Sequence, residues 1–305
     1  MAKKVFLIDV ARCMGCYSCQ TACKDEHCGN DWTPYAKPQP DLGQFWLKLI
    51  EHTEGTTPKV RVHYVPTLCN HCKNPACMAA CNIGAISRHE DHDFVIIEPD
   101  KCTGCGDCAA ACPYQAIYMN GELGIAQKCT GCAHLLDNGF IEPRCVEACP
   151  VDALRFVDED EEADVLAGAE VRMPGEGTKP QVYYTNMPGR FVAGLVYDPE
   201  TKDIVRDARV RLLSGGKRRE VRTDLFGDFW FEDLPFGLYD LYIEAEGYKV
   251  KAIKGIKTAE GLSVNLGDIP LEKSDEKPIT AEEWEKVKTD ATTEMSADSQ
   301  RFARA

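Results

Sequence analysis

The chain has 305 residues, of which 44% are hydrophobic and 28% charged, with a formal net charge of −14 and 17 cysteines. That length suggests about two domains, and the composition excludes a collagen-like or wholly disordered chain. The acidic balance, with no basic patch carrying interleaved aromatics, argues against nucleic-acid binding.

The opening residues Met1 to Val10 hold a short apolar stretch interrupted by Asp9. It is too short for a signal-peptide core and has no cleavage site or twin arginine. No later run approaches the roughly 18 apolar residues of a membrane span. The expectation is a cytoplasmic chain, with export by a signal-bearing partner left open. In that setting cysteines read as metal or redox ligands rather than disulfides.

All the cysteines lie between Cys13 and Cys149, and sixteen of them fall into four groups of four. An apolar strand, Val5-Phe-Leu-Ile, leads into Cys13-x2-Cys16-x2-Cys19-x3-Cys23. Next come Cys69-x2-Cys72-x4-Cys77-x3-Cys81 and, after a second strand Phe94-Val-Ile-Ile, Cys102-x2-Cys105-x2-Cys108-x3-Cys112. The fourth group is Cys129-x2-Cys132-x12-Cys145-x3-Cys149. Three thiolates on a tight loop grip one face of an iron–sulfur cube, while the fourth, one helical turn on, points toward a neighbouring cube. Zinc fits less well, because it favours two Cys-x2-Cys knuckles per tetrahedral site.

Similar text follows three of the closing cysteines: Cys81-Asn-Ile-Gly-Ala85, Cys112-Pro-Tyr-Gln-Ala116 and Cys149-Pro-Val-Asp-Ala153. The repeating unit is therefore a strand, a cluster loop, a short helix and a strand, and two units make a two-cluster module. The adjacent second and third motifs form one module, and the first and fourth enclose them as the other. This nesting predicts four [4Fe–4S] clusters: Cys13, Cys16, Cys19 with Cys149; Cys129, Cys132, Cys145 with Cys23; Cys69, Cys72, Cys77 with Cys112; and Cys102, Cys105, Cys108 with Cys81. Every iron is then coordinatively filled, so the chain conducts electrons and has no catalytic residues of its own. Cys28 stands outside the motifs and reads as a packing or surface thiol. His71, His134 and Lys128 read mainly as loop-bonding or solvated groups, and Tyr114, Trp32 and Trp46 as packing aromatics.

The chain changes character after Phe156. Residues 1–157 form the expected four-cluster domain, 158–190 an acidic linker and connecting segment, and 191–272 a β domain. Alternating stretches Phe191–Tyr197, Ala208–Leu213, Glu220–Thr223, Asp228–Phe231 and Tyr239–Ala245 predict an antiparallel sandwich of about seven short strands. The motifs Thr223-Asp-Leu-Phe-Gly227-Asp-Phe229 and Leu238-Tyr-Asp-Leu-Tyr-Ile243 resemble a transthyretin-like, carboxypeptidase-regulatory domain. The charged tail 273–305 contains a capping box, Thr280-Ala-Glu-Glu283, which predicts a helix from Ala281 to about Met295. The fold class expected is α+β: nested two-cluster ferredoxin-like modules followed by an antiparallel β-sandwich.

Four motifs in this order resemble the iron–sulfur subunits of molybdopterin oxidoreductases related to dimethyl sulfoxide reductase. The stretches Ile8-Asp-Val-Ala-Arg-Cys13 with Asp25-Glu-His27, Ala126 to Asp137, and Gly177 to Tyr184 are similar to the small subunit of the pyrogallol–phloroglucinol transhydroxylases. The resemblance implies a large partner with a molybdenum or tungsten bis-pterin guanine dinucleotide cofactor, acting on polyphenols. It implies also that the cluster of Cys13, Cys16, Cys19 and Cys149 lies nearest that cofactor. The transhydroxylase small subunit is known for three clusters, whereas all sixteen ligands stand here. A complete wire suggests electron exchange with an external carrier, as in a hydroxylase or dehydroxylase. A respiratory-type relay for another small molecule and a free-standing polyferredoxin remain as alternatives.

Overall fold

The computed structural model describes residues 3–258 and 263–274, and the predicted helix Ala281–Met295 lies outside them. The described residues divide into two compact units, one of 3–52 and 63–187, the other of 53–62, 188–258 and 263–274.

The first unit is organised by what joins one cysteine motif to the next. Strand β1 (Lys4–Asp9) precedes the first motif, and a helix, α1 (Ser18–His27), carries its last two cysteines. A hairpin of β2 (Lys48–Thr56) and β3 (Lys59–Thr67) leads to the second motif, which contains α2 (Ala76–Ala79). Strands β4 (Ile86–Arg88) and β5 (Val95–Ile97) pair antiparallel ahead of the third motif and its helix α3 (Asp107–Ala111). Strands β6 (Tyr118–Asn120) and β7 (Ile125–Gln127) do the same before the fourth motif, with α4 (Ala133–Asp137) and α5 (Arg144–Glu147). Strand β8 (Leu154–Asp158) then returns to pair antiparallel with β1, from Ile8↔Leu154 to Lys4↔Asp158. Each motif is thus followed by a two-stranded connection, and the last connection closes on the first strand.

After a short helix, α6 (Ala163–Ala167), strand β9 (Val182–Thr185) joins β1 in parallel on its other side. Parallel neighbours need a long crossover, which the intervening residues supply. A strand flanked on both edges and covered on both faces reads as an unbroken apolar run, and Phe6, Leu7 and Ile8 are essentially inaccessible. Sequence patterning assigns the β9 segment to a connection because a four-residue strand carries too little alternation to register.

The second unit is a two-sheet sandwich. Its strands are β10 (Arg190–Tyr197), β11 (Arg209–Ser214), β12 (Lys217–Arg222), β13 (Asp228–Leu234), β14 (Gly237–Glu244), β15 (Lys251–Thr258) and β16 (Val264–Pro270). One sheet has the order β13-β10-β16 and the other β12-β11-β14-β15, antiparallel throughout except that β16 runs parallel to β10, so the sandwich is not wholly antiparallel as expected. Alternate side chains from the two sheets, including Val192, Val196, Phe229 and Phe231 against Val210, Leu212, Leu241 and Ile243, make one core. The tip of the β2–β3 hairpin belongs to this unit, where Ser263 Oγ donates to Glu54 Oε2 at 2.6 Å and Lys59 pairs with Asp228.

Strands β15 and β16 escape the period-two reading for a physical reason. Ile253 and Ile256 pair with Leu241 and Tyr239, so three residue steps on β15 oppose two on β14, with Gly255 at φ +71°. A bulge of that kind returns two apolar side chains to the same face at a spacing of three. The register of β16 on β10 shifts likewise between Asn265 and Asp268, around Gly267.

Helices are few and short among the described residues: α1 has ten residues and the other α-helices four or five. The molecule is mostly β, and its helices belong to the first unit. Phe231 has no accessible surface, and truncation leaves a cavity the two sheets cannot close. Phe231→Ala is expected to cost about 3–5 kcal/mol, read as a lower thermal midpoint of the intact chain by far-ultraviolet circular dichroism; an unchanged midpoint would contradict this core.

Candidate iron–sulfur centres

The four cysteine loops share one backbone device. The third residue of each opening Cys-x-x-Cys has a left-handed conformation: Gly15 at φ +73°, His71 at +41°, Gly104 at +69° and Gly131 at +67°. This conformation turns the chain so that both flanking cysteines face inward, and glycine adopts it without steric cost. Space demands glycine as well. A Cβ on Gly104 would fall 2.2 Å from the Gly124 carbonyl oxygen, and one on Gly131 would meet the Phe94 ring at 2.3 Å. His71 has a side chain at the equivalent position, fully buried, its Nδ1 accepting from the Val95 N–H at 3.1 Å. In the first and third motifs a second left-handed residue, Tyr17 or Gly106, caps the helix that carries the next cysteine.

The thiols gather in sets. The Cys19 thiol is pushed up to about 12 by burial and then by its neighbours Cys13, Cys149 and Cys16. Burial raises Cys23, reinforced by Cys129 and Cys132, and raises Cys145, reinforced by Cys132, Cys23 and Cys129. Burial likewise lifts Cys72 to about 11, where Cys69 and Cys112 are neighbours. Cys77, lifted by burial to about 12, has Cys69, Cys112 and Cys72 beside it. Cys108 is raised by burial and by Cys102 and Cys105, while Cys81, Cys102 and Cys77 pack on the small core that contains Cys108. The sets adjoin in order: Cys145 neighbours Cys19, and Cys129 neighbours Cys69. Packing of α1 against α5, and of α2 against α3, brings the closing cysteine of one motif beside the opening cysteines of another.

These donors suit iron–sulfur clusters. A buried thiolate is costly unless a cation compensates it, and clustered thiolates multiply the cost. Each set consists of sulfur alone, the soft donor such clusters take. Cys69, Cys72, Cys77 and Cys112 line one pocket together with Tyr114 and Thr178. Backbone N–H groups are already aimed at sulfur, from Ala126 to Cys102 at 3.3 Å and from Ala153 to Cys149 at 3.2 Å. Ala153 is the alanine that recurs four residues after a closing cysteine. Its counterpart Ala116 also hydrogen-bonds Cys112, so the repeated text has a structural purpose.

Lys128 is buried rather than solvated, at 2% exposure. Its ammonium donates to the Cys129 carbonyl at 2.9 Å and to the Val95 carbonyl, and its charge favours the thiolates of Cys77, Cys112 and Cys129. His134 is also buried, 3.0 Å from Glu26 and stacked on Trp32, while His27 packs on Trp46. Cys28 joins none of the sets, and its Sγ donates to Asp41 at 3.4 Å.

Residues 60–159 match the family model of a 4Fe-4S dicluster domain, and residues 191–272 match that of a carboxypeptidase regulatory-like domain. The chain is 36% identical over 283 residues to the pyrogallol hydroxytransferase small subunit of Pelobacter acidigallici, covering 89% of this chain and 100% of that one. The chain belongs to the iron–sulfur subunits of the dimethyl sulfoxide reductase superfamily. A subunit of the tetrathionate reductase of Salmonella typhimurium is 34% identical, over 62% of this chain and 75% of its own. A subunit of the sulfite dehydrogenase of Allochromatium vinosum is 30% identical, over 77% and 99%. As an iron–sulfur electron-transfer subunit, the chain has reason to keep a positive charge among its sulfurs. Lys128→Met is expected to leave the iron content unchanged and lower the potential of the cluster beside it. A unit charge several ångströms away at an effective dielectric of about 20 contributes on the order of 2 kcal/mol, a shift of tens of millivolts. An anaerobic redox titration followed by electron paramagnetic resonance checks it, and unaltered potentials would contradict it.

Proposed function

We propose that this chain is the electron-transfer subunit of a molybdopterin oxidoreductase acting on polyphenols, and that it holds four [4Fe–4S] clusters on sixteen cysteines. The ligand sets are Cys13, Cys16, Cys19 and Cys149; Cys23, Cys129, Cys132 and Cys145; Cys69, Cys72, Cys77 and Cys112; and Cys81, Cys102, Cys105 and Cys108. Such clusters supply reversible one-electron storage. The protein's part is to supply thiolates, aim N–H groups at sulfur and exclude water from the inner sets.

Exposure supports two ends to this path. Cys16 and Cys105 are exposed, one in the first set and one in the last, whereas the two middle sets are mostly buried. Met14, beside Cys16, is 63% exposed, as suits a surface that meets a large partner. On this reading the Cys13 set faces a partner carrying a molybdenum or tungsten bis-pterin cofactor, and the Cys102 set faces an external carrier. Among the described residues no helix is long and apolar enough to cross a membrane. A carrier met from solution and a cytoplasmic location are part of the same proposal.

The observation that carries the polyphenol reading is the match to a pyrogallol hydroxytransferase small subunit over the whole of that relative, both units included. Completeness of the four sets favours net oxidation or reduction, hydroxylation or dehydroxylation, over internal hydroxyl transfer. The similarity to tetrathionate reductase and sulfite dehydrogenase subunits favours a second reading, a relay for a small inorganic substrate, but it leaves more of the present chain unmatched.

Anaerobic purification of the tagged chain tests both. The expected result is co-purification with a pterin-containing subunit and a change of cluster oxidation state when a catechol or pyrogallol is added, seen by electron paramagnetic resonance. Response to tetrathionate or sulfite but not to phenols would transfer the reading to the second. Isolation of the chain alone with full cluster content would sink both.

A further inference from the structure

The turn between β4 and β5 reads His89-Glu90-Asp91-His92. The Asp93 N–H donates to the His89 carbonyl at 3.1 Å and the His89 N–H to the Phe94 carbonyl at 2.7 Å, so the chain makes a single helical turn there. Residues three apart on such a turn share a face. The two imidazoles accordingly stack, with centroids 5.0 Å apart and 13° between planes.

Both rings address one carboxylate, Asp137, the last residue of α4. His92 Nε2 lies 2.9 Å from Oδ1 and His89 Nε2 3.2 Å from Oδ2. The Tyr35 hydroxyl donates to Oδ2 as well. Donor atoms of the three residues all lie within 4.8 Å of one another. The histidine side chains are 16% and 19% exposed and that of Asp137 28%, so the cluster is set into the surface yet reachable from solvent.

We propose that His89, His92 and Asp137 form a zinc site, separate from the cysteine sets, that fastens the β4–β5 turn to the end of α4. Two imidazole nitrogens and one carboxylate oxygen are borderline donors of the kind zinc takes, whereas calcium and magnesium call for oxygen. The Tyr35 hydroxyl orients the carboxylate, as outer partners of metal ligands do. The site joins segments that bear different cysteine sets: α4 begins directly after Cys132, and β5 runs toward Cys102. Zinc here braces the chain between them without touching sulfur.

The test uses the cluster-loaded chain, dialysed anaerobically against zinc buffered by a chelator, with zinc and iron counted in the same sample by mass spectrometry. The expected result is a single zinc retained per chain, lost in His92→Gln and in the His89→Gln, His92→Gln double variant with iron unchanged. Tyr35→Phe is expected to weaken zinc binding about tenfold, and Cys28→Ser to leave it intact. X-ray absorption at the zinc edge of the unaltered protein gives a second reading that needs no variant, with nitrogen and oxygen neighbours expected. No uptake, equal uptake in His92→Gln, iron lost as zinc enters, or sulfur among the zinc neighbours would each overturn the site.

Discussion

Sixteen motif cysteines share one unit, and most of the structure follows from the cost of burying their thiols. Thiols such as Cys23, Cys129, Cys132 and Cys145 are buried, and burial drives their protonation constants upward. Held as thiolates in the proposed clusters, they call for a cationic centre in each set and N–H groups turned toward sulfur. The loops answer with left-handed residues that swing both flanking cysteines inward. The connections answer with two-stranded ladders that satisfy the backbone between loops without adding bulk. Closure of β8 onto β1 completes the circuit, bringing the first and fourth motifs together across the length of the unit.

The same constraint explains why a lysine is buried. An ammonium with no carboxylate partner among the described residues is ordinarily expensive inside a protein, and its neighbours show why it is tolerated here. Lys128 lies among thiols of two adjacent sets, where its charge offsets theirs. Its two carbonyl bonds hold it in place, so its field acts on sulfur rather than being spent on a salt bridge.

Spacing is itself geometry: in the first and third motifs three cysteines at intervals of three, and a fourth a turn later, admit few arrangements, and this is why the motifs read as candidate iron–sulfur loops. The recurring alanine was visible as text, though its N–H bond to sulfur was not. Period two identified β10, β11, β13 and β14, whose faces are cleanly divided, and missed β15 and β16, where bulges at Gly255 and Gly267 change the spacing to three. Strand β9 went unmarked because its place beside β1 depends on tertiary pairing. The burial of Lys128 and the meeting of His89, His92 and Asp137 were hidden for a similar reason. These residues are brought together from separate turns and helices by chain folding, and none sits in a pattern that a single sequence displays.

The proposed two-ended path depends on every set being filled, since one missing centre between the Cys13 and Cys102 sets would interrupt it. Iron and acid-labile sulfide, counted per chain in anaerobically purified protein, address that directly. The account predicts about sixteen of each. About twelve, with one set lacking its cluster, would contradict it.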